Sequence, residues 1–292
     1  AMLVLPDVFK QTWGIDAAPF WPRAIPRVRE RFPEFLFIAE VYWDREWTLQ
    51  QQGFDFTYDK RLYDRLVGGD VASVRDHLRA DPAFQDRSAR FLENHDEPRA
   101  AATFPPGKHE AAALVTYFVP GLRFFQKGQL EGFRHHISPH LGRGPDEPTD
   151  PRLQAFYGRL LAALRDPLVR EGSWRLLECV PAWQGNECYQ RFLAFEWEGR
   201  SGGGEGRLVV TVNLSPYPGQ CFVRVQLPEV GAATWRFQDR IAGTTIYDRP
   251  GGDLRARGLY LDVPPWHGHV FSVTRLVAQR ETNRAAPAAV PA

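Results

Sequence analysis

Leu36-Phe37-Ile38-Ala39-Glu40-Val41-Tyr42-Trp43-Asp44 is an apolar run that ends in a single carboxylate and is followed at once by two aromatic rings. It comes after a break marked by Phe32-Pro33-Glu34, and a short apolar run behind such a break reads as a strand buried on both faces, as in parallel sheets. Glu40 stands at its C-terminal end. In a barrel of parallel strands that end displays the reactive side chains, because the strand is a rigid mount and the following loop opens to solvent. The residue types alone leave a second reading open, in which Glu40 caps the strand or pairs with a surface arginine.

Upstream of this run, residues 1–5 are apolar with no polar lead-in, as though the chain begins inside an element. A fragment of a longer protein is expected on that ground. A leader could then lie upstream, and the compartment stays open with the cytoplasm favoured. Residues 19–32 suit a helix that Pro22 and Pro26 kink or confine to 27–31. After the Glu40 strand come a short turn or helix at 48–52, a strand at 54–58, helices at 60–66 and 71–78, and a strand at 88–93 ending in Asn94-His95-Asp96. A helix at 108–119 stops at Pro120-Gly121, a strand covers 122–126, and a helix at 151–164 opens with Pro in its first turn. Strand and helix alternate, which is the signature of right-handed crossovers and a parallel α/β sheet or barrel over residues 1–171.

The pattern changes near Gly172. Apolar runs at 189–197, 207–214, 221–227, 235–239, 259–263 and 270–276 are separated by Gly, Pro, Asn and Asp, with no helix expected between them, so residues 172–277 read as an all-β antiparallel sandwich. The Gly-rich stretch 201–206 reads as a flexible hairpin loop, since no helix comes after it to cradle a phosphate. Residues 278–292, rich in Ala and Pro, are expected to be disordered.

With 36 basic and 35 acidic residues the net charge is +1, which gives no electrostatic case for nucleic acid or an anionic membrane. No run approaches the roughly 18–20 apolar residues that span a bilayer, so a soluble chain is expected. Cys179, Cys188 and Cys221 have no metal-type spacing and do not form a disulfide framework, although one bridge is left open. His135, His136 and His140 share a loop without the spacing of a metal site. Trp174, Trp183 and Trp235 are expected in the sandwich core rather than as sugar platforms.

Two strand ends present acids, Glu40 and Asp96. Cleavage of a glycosidic bond needs a protonated carboxyl at the leaving oxygen and negative charge beside an oxocarbenium-like transition state. Tyr42 and Trp43 would desolvate Glu40 and raise its pKa, which suits the acid, while His95 and Arg99 would keep Asp96 ionised. Tyr42 and Trp43 could equally stack an acceptor sugar or simply pack.

These segments resemble the α-amylase family, glycoside hydrolase family 13. Residues 37–43 are similar to the family's fifth barrel strand, whose Glu is the general acid/base. Residues 91–96 are similar to the seventh, whose Asp stabilises the transition state and whose His binds sugar hydroxyls. Residues 120–128 resemble the eighth, with Gln126 and Gln129 where an acidic ending is usual. The resemblance implies a partial (β/α)8 TIM barrel, about strands 4/5 to 8, followed by the sandwich. It implies catalytic Glu40 and Asp96, and substrate-binding His95, Tyr42, Trp43 and Arg99. An oligo- or polysaccharide substrate is expected, with no cofactor and no metal in this part. The family's nucleophilic Asp has no match here. Residues 1–5 resemble the segment directly after that Asp, and neither Asp7 nor Asp16 has the expected Arg two residues earlier. The expected whole is a retaining α-glucan hydrolase, with this chain inactive alone; α-glucan transglycosylase and non-catalytic carbohydrate binding are the alternatives.

Overall fold

Four very short parallel strands, joined by helices, make the first part of the molecule. The computed structural model describes residues 1–201, 204–228 and 233–276, and the expected disordered tail lies outside these. In it β1 (Ile38–Ala39), β2 (Phe56–Tyr58), β3 (Ser88–Arg90) and β4 (Leu122–Arg123) lie side by side in chain order. Parallel neighbours need a crossover, and helices supply each one. α1 (Pro6–Trp13) and α2 (Trp21–Arg31) precede β1, and α3 (Glu46–Gln51) leads to β2. α4 (Lys60–Gly68), α5 (Val71–His77) and α6 (Pro82–Asp86) join β2 to β3. α7 (Ala100–Thr103) and α8 (Lys108–Phe118) lead to β4, with α9 (Pro151–Ala163) and α10 (Leu168–Glu171) after it.

Side chains close several of these helices. Asp59 accepts from the Leu62 amide at the start of α4, and Asp150 from the Arg152 and Leu153 amides at the start of α9, each satisfying N–H groups that a helix cannot satisfy itself. α2 extends from Trp21 through Pro26 to Arg31 and so is not confined to 27–31: Pro26 lacks the amide that would bond the Pro22 carbonyl, and Ile25 anchors the helix in a small cluster with Leu5, Val8, Ala39, Val41, Leu49 and Phe54. At Gly121 (φ 115°) a side chain is excluded, because a Cβ would come within 2.2 Å of the Ser88 carbonyl oxygen. The Pro120-Gly121 stop is therefore also where the chain passes closely against β3.

The Glu40 strand departs from expectation. β1 has two residues, and it is not buried on both faces: Ala39 and Val41 are fully buried, but Leu36 is 63% exposed and Ile38 47%. Among the described residues β1 pairs only with β2, so one edge has no neighbour.

The second part is antiparallel. A six-stranded sheet has the order β11-β10-β13-β8-β7-β5 and a three-stranded sheet the order β12-β9-β6. The strands are β5 (Ser173–Leu177), β6 (Cys179–Val180), β7 (Phe192–Ser201), β8 (Gly204–Asn213), β9 (Gly219–Val223), β10 (Thr234–Asp239), β11 (Ile246–Pro250), β12 (Leu259–Val263) and β13 (Gly268–Leu276). Of the expected hairpin loop at 201–206, Ser201 and residues 204–206 are paired strand in the β7–β8 hairpin, and residues 202–203 lie outside those described. A helix the sequence did not suggest, α11 (Gly251–Ala256), is seated on Leu254 in the sandwich core.

The larger sheet is apolar on both faces. Phe192, Ala194, Val209 and Phe271 face the sandwich interior, while Leu193, Phe195, Leu208 and Val210 join one cluster with α8 and α9. Residues 109–118 of α8 are buried with one partial exception at Glu110, as a helix between a sheet and other helices must be. Trp197 ties the parts together, its indole N–H donating to the Phe118 carbonyl at 2.6 Å. Of the three tryptophans expected in the core, Trp235 is buried and Trp174 half-buried, but Trp183 is 55% exposed. The three cysteines are free thiols, and no described helix is long and apolar enough to cross a membrane.

Candidate active site

The carboxylates of interest meet at the C-terminal ends of β1 and β3. Glu40 is the first residue past β1, where Ala39 and Val41 pin the backbone from inside. Beyond β3 the chain turns sharply at Asn94, whose buried side-chain oxygen accepts from the amides of Asp96 (2.9 Å) and Glu97 (2.8 Å). That Asx turn lifts His95 and Asp96 out beside Glu40. His95 Nε2 lies 3.4 Å from Glu40 Oε1 and 3.5 Å from Asp96 Oδ1, so one imidazole stands between the two acids. All three are partly open to solvent, as groups that meet a substrate must be.

Tyr42 completes the group by donating its hydroxyl hydrogen to Glu40 Oε1 at 3.1 Å. Burial, then the negative charge of Glu40, pushes the Tyr42 pKa up, so this hydroxyl keeps its proton and remains a donor. Trp43 is 65% exposed, which decides against packing in the interior. With Tyr42 it lines a cleft of about 260 Å³ bordered by Lys60, Arg61 and Asp64. The loop that carries it is wound by two left-handed residues, Trp43 (φ 63°) and Asp44 (φ 58°), and is held by Arg61, which donates to both Asp44 carboxylate oxygens at 2.8 and 2.5 Å.

Arg99 does not join the group. Its guanidinium is buried, 2.9 Å from Glu93 Oε1 and 2.9 Å from the Lys127 carbonyl, so it neither supports Asp96 nor reaches a ligand. Glu93 is the residue that sequence reasoning missed. It has no exposure, its other oxygen accepts from the Ala100 amide at 2.6 Å, and burial pushes its pKa up to about 7. A carboxylate three positions before Asp96, at the end of an apolar strand, was the available signal. Together Glu93 and Arg99 fix the loop carrying His95 and Asp96 from beneath.

The remaining candidates are structural. Gln129 is buried and donates to the hydroxyls of Tyr117 (2.7 Å) and Tyr157 (2.9 Å), inside the molecule rather than at the cleft. His135 pairs with Glu147, and His136 lies 2.8 Å from the His95 carbonyl, so the loop histidines do not converge. Among the described residues Glu40, His95 and Asp96 are the three groups close enough to share a cation, with ligand atoms within 4.8 Å of one another. Asp59, the acid that starts α4, is instead engaged by Arg90 and His77.

This architecture has relatives among solved structures. The maltogenic α-amylase of Thermotoga neapolitana superposes with a TM-score of 0.63 at 16% identity, over 86% of this chain and 57% of that one. The fold is shared with solved amylases. An Anoxybacillus α-amylase gives 0.66 at 14% identity over 87% and 55%, and a debranching enzyme of Nostoc punctiforme, soaked with acarbose, 0.58 at 17% over 89% and 55%. The chain thus spans a little over half the length of these enzymes, as a partial barrel together with a β-domain. No family model matches the sequence, and no curated protein sequence matches it.

Proposed function

We propose that this chain supplies the second half of a retaining α-glycoside hydrolase of the α-amylase type, acting on α-glucans such as maltooligosaccharides. Residues 1–171 would be the barrel part and 172–277 the sandwich. The observation that carries the reading is the convergence of Glu40, His95 and Asp96 at two strand ends of a fold shared with amylases. Glu40 would protonate the glycosidic oxygen, with Tyr42 orienting its carboxyl. Asp96 would stabilise the positive charge that develops on the sugar ring, and His95 would hydrogen-bond a ring hydroxyl. A retaining reaction also needs a nucleophilic carboxylate about 5–5.5 Å from the acid. Ala1 lies beside the Glu40 backbone, its amino nitrogen 3.4 Å from the Glu40 carbonyl oxygen, so a segment joined before Ala1 would approach the end of β1. Strands from such a segment would also pair with the free edge of β1.

The test compares this chain with the product of its gene extended upstream, using maltoheptaose. The chain alone is expected to be inert and the extended protein active, with kcat falling about 10²–10⁴-fold in Glu40→Gln. Hydrolysis by the chain alone, removed by Glu40→Gln, would sink the incompleteness. An inert extended protein that still binds the sugar would leave only a carbohydrate-binding role, and longer products would mean a transglycosylase.

A further inference from the structure

The loop behind Glu40 leads to a second carboxylate, which the proposed reaction does not use. Glu46, the first residue of α3, is 6% exposed. Four other acids of the described residues are as buried, and each has a partner: Asp59 has Arg90 and His77, Glu93 has Arg99, Glu196 has Arg175 and Arg207, and Asp239 has His269. Glu46 has none among the described side chains. Its own backbone amide reaches it, while the nearby cations are committed elsewhere, Arg61 to Asp44 and His77 to Asp59. Burial pushes its pKa up against that one bond. A buried carboxylate left unpaired costs stability, so the fold gains nothing from its charge.

The Glu46 oxygens are not among the sealed polar atoms, and the residue borders the 260 Å³ cleft with Tyr42 and Trp43. Every other charge on the cleft wall is matched. Lys60 lies 2.6 Å from Asp64 and 3.0 Å from Glu97, which leaves its third N–H to a ligand. What the cleft offers is therefore one open aromatic face, one spare donor and one carboxylate in want of donors. Lys60 and Arg61 on the same wall oppose a cation. Adjacent hydroxyls on a ring with an apolar face match all three features. The side of the acid also follows. Asp96 and His95 would attend the sugar that takes up positive charge, but neither lines this cleft, which starts at Tyr42 on the Glu40 carboxyl. It lies where the departing sugar would be.

We propose that Glu46 and Trp43 form a sugar subsite on the departing side of Glu40, in which one glucose unit of an α-glucan rests on the Trp43 ring and donates two adjacent hydroxyls to the Glu46 carboxylate. The orientation rests on the function proposed above. Titration of maltotriose into this chain, followed by saturation-transfer NMR, tests it. Glu46→Gln keeps the shape and one acceptor oxygen but loses the charge, and is expected to weaken binding about tenfold with no loss in thermal midpoint. Trp43→Ala is expected to abolish binding. Trp47→Ala, whose ring lies in a neighbouring cavity of about 400 Å³ that Glu46 also borders, is expected to bind as the parent does. No binding by the parent, unchanged binding by Glu46→Gln, or a lower midpoint in that variant, the mark of a structural role, would each overturn the proposal. So would loss of binding in Trp47→Ala with Trp43→Ala unaffected, or displacement of the sugar by putrescine, which would make the carboxylate a cation site. Hydrolysis of maltoheptaose by the extended protein with kcat/KM unmoved in Glu46→Gln would reject the subsite and keep the reaction. Binding that depends on Glu46 beside an inert extended protein would reject the reaction and keep the subsite.

Discussion

β1 has a neighbour on one side and leaves Leu36 and Ile38 open, whereas β7, flanked by β8 and β5, buries Phe195 and Trp197 against α8 and α9 and Phe192 and Ala194 in the sandwich. Both strands are apolar in sequence, so composition does not account for the difference; the number of layers against them does. The sandwich carries its own core, and its outer face also covers the helices of the parallel part. The parallel part is therefore firm where it leans on the sandwich and open along β1, the edge from which Glu40 projects.

Substitutions can sharpen that contrast. Phe195→Ala, in the shared cluster, is expected to cost about 3–5 kcal/mol of stability in urea unfolding. A smaller loss would mean that the two parts do not unfold as one. Within the parallel part, Arg90 is fully buried and reaches Asp59, Gln85 and the Pro120 carbonyl, which ties β3 to α4. Arg90→Met would strand the Asp59 charge at a cost of about 3–5 kcal/mol. If it were neutral in the same assay, the interior of the barrel part would have to be wet.

The Glu93 carboxyl gives a pH-dependent prediction. Burial raises its folded pKa to about 7 from the usual 4.5, so the fold prefers the protonated acid. Its contribution is full below pH 4.5 and lost as the pH rises through 7, by at most roughly 3–4 kcal/mol. Stability curves of parent and Glu93→Gln should converge in shape except in that window, where only the parent falls. The smallest effect belongs to the open edge. Ile38→Ala should change stability by only about 0.5 kcal/mol, and a loss comparable with Phe195→Ala would show that something already covers β1.

The sandwich strands were legible in sequence because alternation is local: residues 259–263 were read with the bounds that β12 has. β5, β6 and β11 were missed, since their runs are short or charged, as in Ser-Trp-Arg-Leu-Leu and Ile-Tyr-Asp-Arg-Pro. In the parallel part the order of strands and helices could be read, but not the exposure of Leu36 and Ile38, which depends on a neighbour and not on the run itself. At the site, strand-end position brought out Glu40, His95 and Asp96 as residue types. The fate of Arg99 was hidden, because proximity in sequence to Asp96 does not say on which side of the turn a side chain leaves. It enters the interior toward Glu93, whose own burial is a tertiary fact.

The loop behind Glu40 has a further consequence, one of ionic strength. A left-handed conformation costs an L-residue roughly 1–2 kcal/mol, and Trp43 and Asp44 adopt it in succession. What opposes that cost here is the Arg61 fork on Asp44, and Asp44 is mostly exposed. Dissolved ions screen an exposed pair over a Debye length of about 8 Å at physiological ionic strength, but they barely reach a pair as sealed as Arg90 and Asp59. The Trp43 ring is therefore the part of the cleft whose posture answers to salt, while the strands beneath it do not.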